Sequence, residues 1–200
     1  GPSNQPFGEI YFRQEAITAA RLEHPNIVPI HDLGFDEEGR PLIVMKRVQG
    51  QEWRMLLRDD VDRLPLLAFL EKHTRILISV CQAVAFAHSR GIVHRDLKPS
   101  QVMIGTFGEV LLMDWGLAMA FGEEAKRLNN ESPFSPLVNP ACPAGTPHYM
   151  APEQTLQHAN RIGPWTDVYL LGGILYHMLQ GKLRTGVSVI RMPLSAPVRA

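Results

Sequence analysis

The sequence predicts an α+β fold in which a small part, made of a helix and a β-hairpin, precedes a larger and mainly helical part. Residues 27–33 and 41–45 are short runs rich in β-forming residues, and the turn residues between them predict a hairpin. Residues 66–90 are mostly apolar and are followed by Gly91, a residue type that often closes a helix. Residues 165–179 are apolar all round, which predicts a helix buried in the core.

The composition is that of a globular protein. Of the 200 residues, 45% are hydrophobic and 20% are charged, and 20 Lys and Arg residues balance 20 Asp and Glu residues. This length predicts one domain or two small lobes, and the zero net charge argues against disorder and against nucleic acid as a partner. The longest strongly apolar stretch, residues 169–179, is about half of the ~20 residues that span a bilayer, so no membrane span is expected. Only two cysteines, Cys81 and Cys142, are present, which favours a reducing, cytoplasmic location.

Further helices, strands and connections are predicted in order along the chain. Residues 12–22 are good helix formers and stop just before a proline. Residues 50–53 are expected to be a polar connection between the small first part and the larger second part of the chain. In the second part, residues 101–104 and 109–113 are two short β-runs. Residues 119–151 lack clear periodicity and contain several prolines, so a long loop is expected there.

The two ends of the chain differ from the rest. Residues 1–3, Gly-Pro-Ser, are typical of what remains when a tag is removed, and they are left out of the fold prediction. Residues 182–200 form a proline-punctuated tail with four basic residues and no acidic one. A solvated surface is the expected role of this tail, rather than a binding patch.

Three short motifs point to one chemistry. They are His94-Arg95-Asp96-Leu97-Lys98, Asp114-Trp115-Gly116 and Ala151-Pro152-Glu153. Phosphoryl transfer needs a carboxylate to position the attacking hydroxyl, a metal ligand for the phosphates and a cation on the transferred group. Asp96, Asp114 and Lys98 supply one of each. In order and spacing, with a helix and a hairpin upstream, the motifs resemble the protein kinase signature set, and most of all that of bacterial receptor-type Ser/Thr kinases.

This resemblance implies a two-lobe, protein-kinase-like fold. Residues 4–48 would form a reduced N-lobe of one helix and a hairpin, and residues 49–181 a mainly helical C-lobe. The resemblance covers roughly residues 12–179, so the chain is expected to be incomplete at both ends. No residue can be assigned to the glycine-rich loop or to the strand lysine of the family.

The resemblance also implies roles for single residues. Asp96 would be the catalytic base and Lys98 would contact the transferred phosphoryl group of ATP. Asp114 and Gln101 would bind Mg²⁺. The residues implied to bind the nucleotide are Met45, Lys46, Val48 and Met103. The residues implied to have structural or regulatory roles are Glu15, His94, Arg95, Trp115, Gly116, Thr146, Glu153 and Asp167.

Three departures from the kinase pattern keep a second interpretation open. Gln101 stands where the family has asparagine, and Mg²⁺ tolerates little displacement of a ligand at ~2.1 Å. The phosphate-cradling parts are not in the sequence, and Glu153 lacks the arginine that usually pairs with it. The chain alone is therefore expected to be inactive or strongly impaired. A non-catalytic kinase fold that serves as a binding or scaffolding module is the alternative to a Ser/Thr kinase.

The expected partners follow from these two interpretations. A kinase would take a protein substrate, and a module would take a scaffold partner. A lone hairpin with one helix is marginal in water and its strand edge is open. Self-association through strand exchange or apolar contact is therefore expected as well.

Overall fold

A computed structural model describes residues 21–38, 41–131, 144–155 and 161–183. The helix predicted over 12–22, with Glu15, falls almost wholly outside the described residues, as do Cys142 and nearly all of the basic tail. Within the described residues the chain is an α+β protein with several helices and three small antiparallel sheets, as the sequence predicts. No helix of the described part is long and apolar enough to cross a membrane.

The predicted hairpin is present but its first strand is shifted. β1 (Ile30–Phe35) pairs antiparallel with β2 (Pro41–Met45). The prediction placed Gly34 and Phe35 in the turn, which is wrong because both continue the ladder, opposite Leu42 and Pro41. Within the described residues the closest contacts of these strands are with each other, and most of their residues are exposed.

The polar connection predicted over 50–53 is wrong. β3 (Gly50–Glu52) is a strand, and α1 (Trp53–Arg63) follows it at once. Trp53 has no exposed surface, since its indole ring packs in the core. Helix α1 has a low mean hydropathy and only one narrow buried face, so the sequence pattern does not predict it.

The long buried helix is confirmed. α2 (Leu66–Ser89) ends just before Gly91, whose φ of 72° is the left-handed conformation that glycine adopts without a side-chain clash. β4 (Ile92–Val93) follows, and a short 3₁₀ helix (Pro99–Gln101) leads into β5 (Val102–Gly105) and β6 (Val110–Leu112). β5 is the central strand of a three-stranded sheet, between β3 and β6.

The loop predicted over 119–151 contains regular structure in its described part. β7 (Met119–Ala120) pairs with β4, and α3 (Gly122–Glu131) comes next. Glu123 and Glu124 lie in the first turn of α3, where their negative charges interact favourably with the helix dipole. They also form ion pairs with Lys126 and Arg127. Ala125 and Leu128, three residues apart, pack against the core, and this short apolar face between the charges is a helix signal that the prediction missed.

The last described helices complete the core. α4 (Pro152–Thr155) is one turn, and α5 (Pro164–Leu183) is the predicted helix, somewhat longer than the prediction of 165–179. The prediction that this helix is buried all round is wrong, because Trp165 and Val168 are each 61% exposed and only the face with Leu170, Ile174 and Met178 is buried in the core. α5 packs against α1 and α2. The largest core cluster joins α1, α2 and α5 to the β3-β5-β6 sheet, and its largest side chains are Trp53 and Trp115. This core holds the connections after β4 and β6 close together.

Candidate active site

Asp167, near the start of α5, holds the backbone of the loop that follows β4. Its carboxylate accepts hydrogen bonds from the backbone N–H of His94 at 2.8 Å and of Arg95 at 2.9 Å. The ring of His88, at the end of α2, contacts the same carboxylate at 2.8 Å. Asp167 has no exposed surface. A buried carboxylate with these partners fixes the loop over residues 94–98 to the core.

Two residues that are not glycine adopt the left-handed backbone conformation in this region. The φ angle is 73° at Arg95 and 60° at Asp114. Such strain persists only where the surrounding structure imposes it, and it clusters at functional sites. The side chain of Arg95 is 1% exposed and its guanidinium donates to the carbonyl of Leu117 at 3.3 Å. The sequence held no signal for either backbone conformation.

His94 is an interior residue and not part of the exposed site. Its Nδ1 accepts from the backbone N–H of Asp96 at 3.3 Å, so the proton lies on Nε2, which donates to the carbonyl of Met113 at 3.1 Å. The ring packs on Trp115 with centroids 4.7 Å apart. His94 thereby links the loop of Asp96 to the loop of Asp114.

The structure brings Asp96, Lys98 and Thr146 together. The ammonium of Lys98 lies 2.6 Å from Oδ2 of Asp96 and 2.6 Å from Oγ1 of Thr146. The hydroxyl of Thr146 donates to Oδ1 of Asp96 at 2.7 Å, and its backbone N–H donates to the same oxygen at 2.8 Å. The carboxylate of Asp96 therefore already receives a threonine hydroxyl in this structure.

These contacts keep Asp96 ionised. Burial raises the pKa of Asp96, but the hydrogen bonds from Lys98 and Thr146, the charge of Lys98 and a weaker contact from Gln101 outweigh it, so the pKa lies below its ordinary value. The side chain remains a carboxylate at neutral pH, and a carboxylate can only accept hydrogen bonds. Asp96 is therefore suited to accept a hydrogen bond from a hydroxyl and to orient it.

Gln101 lies between the two carboxylates of the site. Its amide nitrogen donates to Oδ2 of Asp114 and lies 3.3 Å from Oδ2 of Asp96. Mg²⁺ is bound in proteins through one or two carboxylates together with waters or phosphates, and Asp114 fits that requirement. Gln101 in this orientation does not, because its N–H group faces the carboxylate oxygens. No cluster of three His, Cys, Asp or Glu residues that could hold a metal occurs in the described ranges.

The segment around Thr146 is held by Gln154, which the sequence analysis did not identify. Gln154 has no exposed surface, and its amide nitrogen donates to the carbonyls of Arg95 at 2.7 Å and Ala144 at 2.9 Å. Gly145 lies beside it with φ of 134°, and a Cβ there would come within 3.0 Å of that nitrogen. Only its position next to the Ala-Pro-Glu motif distinguishes Gln154 in the sequence.

Glu153 has a partner other than arginine. The hydroxyl of Thr166 donates to Oε1 of Glu153 at 2.6 Å and accepts from the backbone N–H of Gly163 at 3.2 Å. Thr166 has no exposed surface. Glu153 thus ties the segment after Thr146 to the start of α5.

Two of the residues implied to bind a nucleotide lie on different sheets, and the other two lie between β2 and β3. Met45 ends β2, while Met103 is in β5. The backbone N–H of Lys46 donates to the carbonyl of Pro29 at 3.0 Å, its side chain is exposed, and Val48 is half-buried.

Trp115 and Gly116 follow Asp114 directly. Trp115 has no exposed surface, and within the described part of the chain its indole N–H has no hydrogen-bond partner. Gly116 is half-buried.

Comparison with known proteins agrees with the resemblance seen in the sequence motifs. The family described as "Protein kinase domain" matches residues 4–187. Serine/threonine-protein kinase PknD of Chlamydia pneumoniae is 36% identical over 179 residues, which cover 84% of this chain and 19% of the relative. Serine/threonine-protein kinase PknB of Mycobacterium leprae is 34% identical over 183 residues, which cover 90% of this chain and 27% of the relative. The chain therefore spans about a fifth to a quarter of the length of these relatives.

Proposed function

The chain belongs to the protein kinase family, with Ser/Thr kinases among its relatives, and we propose that its protein transfers the γ-phosphoryl group of ATP to serine or threonine hydroxyls of other proteins. One observation carries this proposal. Asp96, Lys98 and Thr146 form a closed set of contacts of 2.6 to 2.7 Å in which a threonine hydroxyl already donates to Asp96. A substrate hydroxyl that replaced Thr146 would meet the same carboxylate and the same ammonium.

Each residue has a defined task in this proposal. Asp96 orients the attacking hydroxyl and accepts its proton as the bond from that oxygen to the γ-phosphorus forms, while the bond from the γ-phosphorus to the bridging oxygen of ATP breaks and ADP leaves with its electron pair. Lys98 places a positive charge beside the transferred group. Asp114 would hold Mg²⁺, and Met45, Lys46, Val48 and Met103 would face the nucleotide. When bound, ATP supplies the phosphoryl group and Mg²⁺ neutralises charge on its phosphates.

A phosphotransfer assay tests the proposal. The protein, at full length where the gene encodes more than this chain, is incubated with radiolabelled ATP, Mg²⁺ and a generic protein substrate. We expect transfer to Ser or Thr that falls by about 10²-fold or more in Asp96→Asn. Asp62→Asn, an exposed carboxylate of α1, is the matched control and should leave transfer unchanged. If the wild type transfers no phosphate, the proposed activity is wrong. If both variants transfer phosphate equally, Asp96 does not take part in the reaction.

A second candidate function is favoured by Gln101. Because its amide N–H occupies oxygens of Asp114 and Asp96, a cation must displace it before it can bind. A protein with this arrangement would serve as a binding or scaffolding module that needs no turnover. Calorimetry separates the two functions: a kinase binds ATP with Mg²⁺ and loses this on Asp114→Asn, whereas a module shows no heat from either.

The proposed partners follow from this function. A protein substrate or a scaffold partner, together with ATP from the cytoplasm, suits either function, and nucleic acid suits neither because the chain has no net charge. Self-association is also proposed. Leu42 and Val44 of β2 are each about half exposed, so an apolar strand face is available for it.

A further inference from the structure

A cavity of about 330 Å³ lies between α1, α2 and α5, apart from the Asp96 site. Its floor is apolar and includes Leu57, Phe69 and Met178. Its volume is at the small end of the range for ligand-binding cavities. A site of this size and lining suits one large apolar side chain rather than a nucleotide.

The rim of the cavity is basic. Its lining includes Arg54, Arg58 and His177, and no acidic residue is among the described residues that line it. Arg54 pairs with Glu52 at 3.2 Å and Arg58 pairs with Asp59 at 3.3 Å, in both cases through Nε and Nη2 of the guanidinium. Both pairs are well exposed, so they contribute little and exchange readily for another carboxylate.

The tip of the β1–β2 hairpin has the complementary chemistry. Phe35 at the end of β1 is 63% exposed, an unusual exposure for an aromatic side chain of this size. Asp36, Glu37 and Glu38 follow it, and the two glutamates are exposed. An apolar ring next to a run of carboxylates matches an apolar floor next to two guanidiniums. The side chains of Phe35, Glu37 and Glu38 are exposed, so the tip is accessible to another chain.

We propose that this cavity binds the hairpin tip of a second copy of the chain, with Phe35 on the apolar floor and Glu37 and Glu38 facing Arg54 and Arg58. The charge pattern decides this choice of occupant. Residues 182–200 of the same chain carry four basic residues and no acid, so they do not match an arginine rim. Charged pairs across such a contact set its register and orientation.

The contact is head-to-tail, because the tip and the cavity are different surfaces of one chain. Contacts of this type form rings if the rotation closes and open chains if it does not. A single hairpin tip buries less surface than the ~1,200 Å² of a standard interface, so the association is weak and depends on concentration. We expect a dissociation constant in the micromolar range or weaker.

Sedimentation velocity of the purified chain over a wide concentration range tests the contact. Phe35→Ser removes the aromatic ring of the tip, and Arg58→Glu puts a negative charge on the rim, where it repels the glutamates of the tip. Both residues are exposed, so neither substitution should affect folding. Each variant should weaken association by at least about tenfold. The matched controls are Phe107→Ser, an aromatic residue 97% exposed in another loop, and Arg75→Glu, an exposed arginine of α2. Both controls should associate like the wild type.

A mixture of the two variants gives the decisive result. Phe35→Ser keeps an intact cavity and Arg58→Glu keeps an intact tip, so one contact of the head-to-tail kind can form between them. We expect one-to-one heterodimers and no larger species, whereas the wild type goes on to larger species or rings. The proposal is overturned by a wild type that stays monomeric, by controls that weaken association equally, or by a mixture that does not pair.

Discussion

The indole N–H of Trp53 donates to Nδ1 of His73 at 3.0 Å, and neither side chain has any exposed surface. This bond places the ring proton of neutral His73 on Nε2, which lies 3.3 Å from Oδ2 of Asp60 without the alignment of a hydrogen bond. Lys72 pairs with the same carboxylate at 2.6 Å. The start of α1 and the middle of α2 are therefore joined through a histidine that must stay neutral.

The stability of the fold is expected to fall with acid because of His73. Burial lowers the pKa of His73 from 6.5 to about 4; the charge of Lys72 also lowers it, and Asp60 acts in the opposite direction. Between these two pH values the unfolded state binds more protons than the folded state, so stability rises with pH across the window. We expect up to about 3 kcal/mol to be lost between pH 6.5 and 4. Urea unfolding at several pH values measures it.

A variant separates His73 from other titrating groups. His73→Gln keeps an acceptor for Trp53 but cannot take up a proton in this range. The variant should be less stable at pH 7 and should lose most of the dependence on pH between 4 and 6.5. A dependence as steep as that of the wild type would show that other groups cause it.

Removing the carboxylate charge of Asp167 should loosen the loop of Asp96. In Asp167→Asn one acceptor oxygen is replaced by an N–H₂ group that faces backbone N–H donors of His94 or Arg95. We expect a loss of about 3 kcal/mol of unfolding free energy, since buried donors lose their partner. Hydrogen exchange at those two amides should become faster. Asp62→Asn, on the exposed side of α1, should change stability by less than about 0.5 kcal/mol.

The sequence predicts the parts of the site that depend on motif and spacing. Asp96 and Lys98 lie in one motif, the resemblance pointed to Thr146 in a distant segment, and the structure brings the three into direct contact. The core helix and the long helix before Gly91 were predicted because each carries many apolar residues in one run. These features are local in sequence or depend on hydrophobicity alone.

The features that the sequence did not predict depend on tertiary contacts. Trp53 was read as part of a polar connection, because its burial depends on α2 and the bond to His73. The left-handed backbone of Arg95 is imposed by Asp167, some 70 residues away in the chain. Gln154 and Thr166 hold the site through side-chain hydrogen bonds that leave no periodic pattern in the sequence.

Removing the hydroxyl of Thr166 should release Glu153. Thr166→Val keeps the shape of the side chain but leaves the carboxylate of Glu153 and the N–H of Gly163 without this partner. Since both groups lie near a fully buried side chain, we expect a loss of about 1–3 kcal/mol in unfolding free energy. Thr166→Ser should restore most of it. Thr74→Val, the same change at an exposed position of α2, should be close to neutral, and an equal loss there would assign the effect to helix propensity.

The last prediction concerns the amide of Gln101, which donates to Asp114 and Asp96 and so competes with a cation for the same oxygens. Asparagine is one methylene shorter and cannot reach both carboxylates at once, so Gln101→Asn should free Asp114. Hydrogen bonds to charged groups contribute about 1.5–3 kcal/mol, and we therefore expect the affinity for Mn²⁺, as a probe for Mg²⁺, to rise by about tenfold. Electron paramagnetic resonance of free Mn²⁺ during a titration measures this affinity.

Two further variants show whether Gln101 blocks the cation or binds it. Gln101→Met removes the amide at nearly constant length. If the amide only competes, Mn²⁺ binds more tightly in this variant as well. If the amide turns and its oxygen becomes a ligand, Mn²⁺ binds more weakly in Gln101→Met than in the wild type, and the competition argument is wrong. Gln180→Asn, whose amide contacts only Tyr176 on α5 in the described bonds, is the matched control and should leave the affinity unchanged.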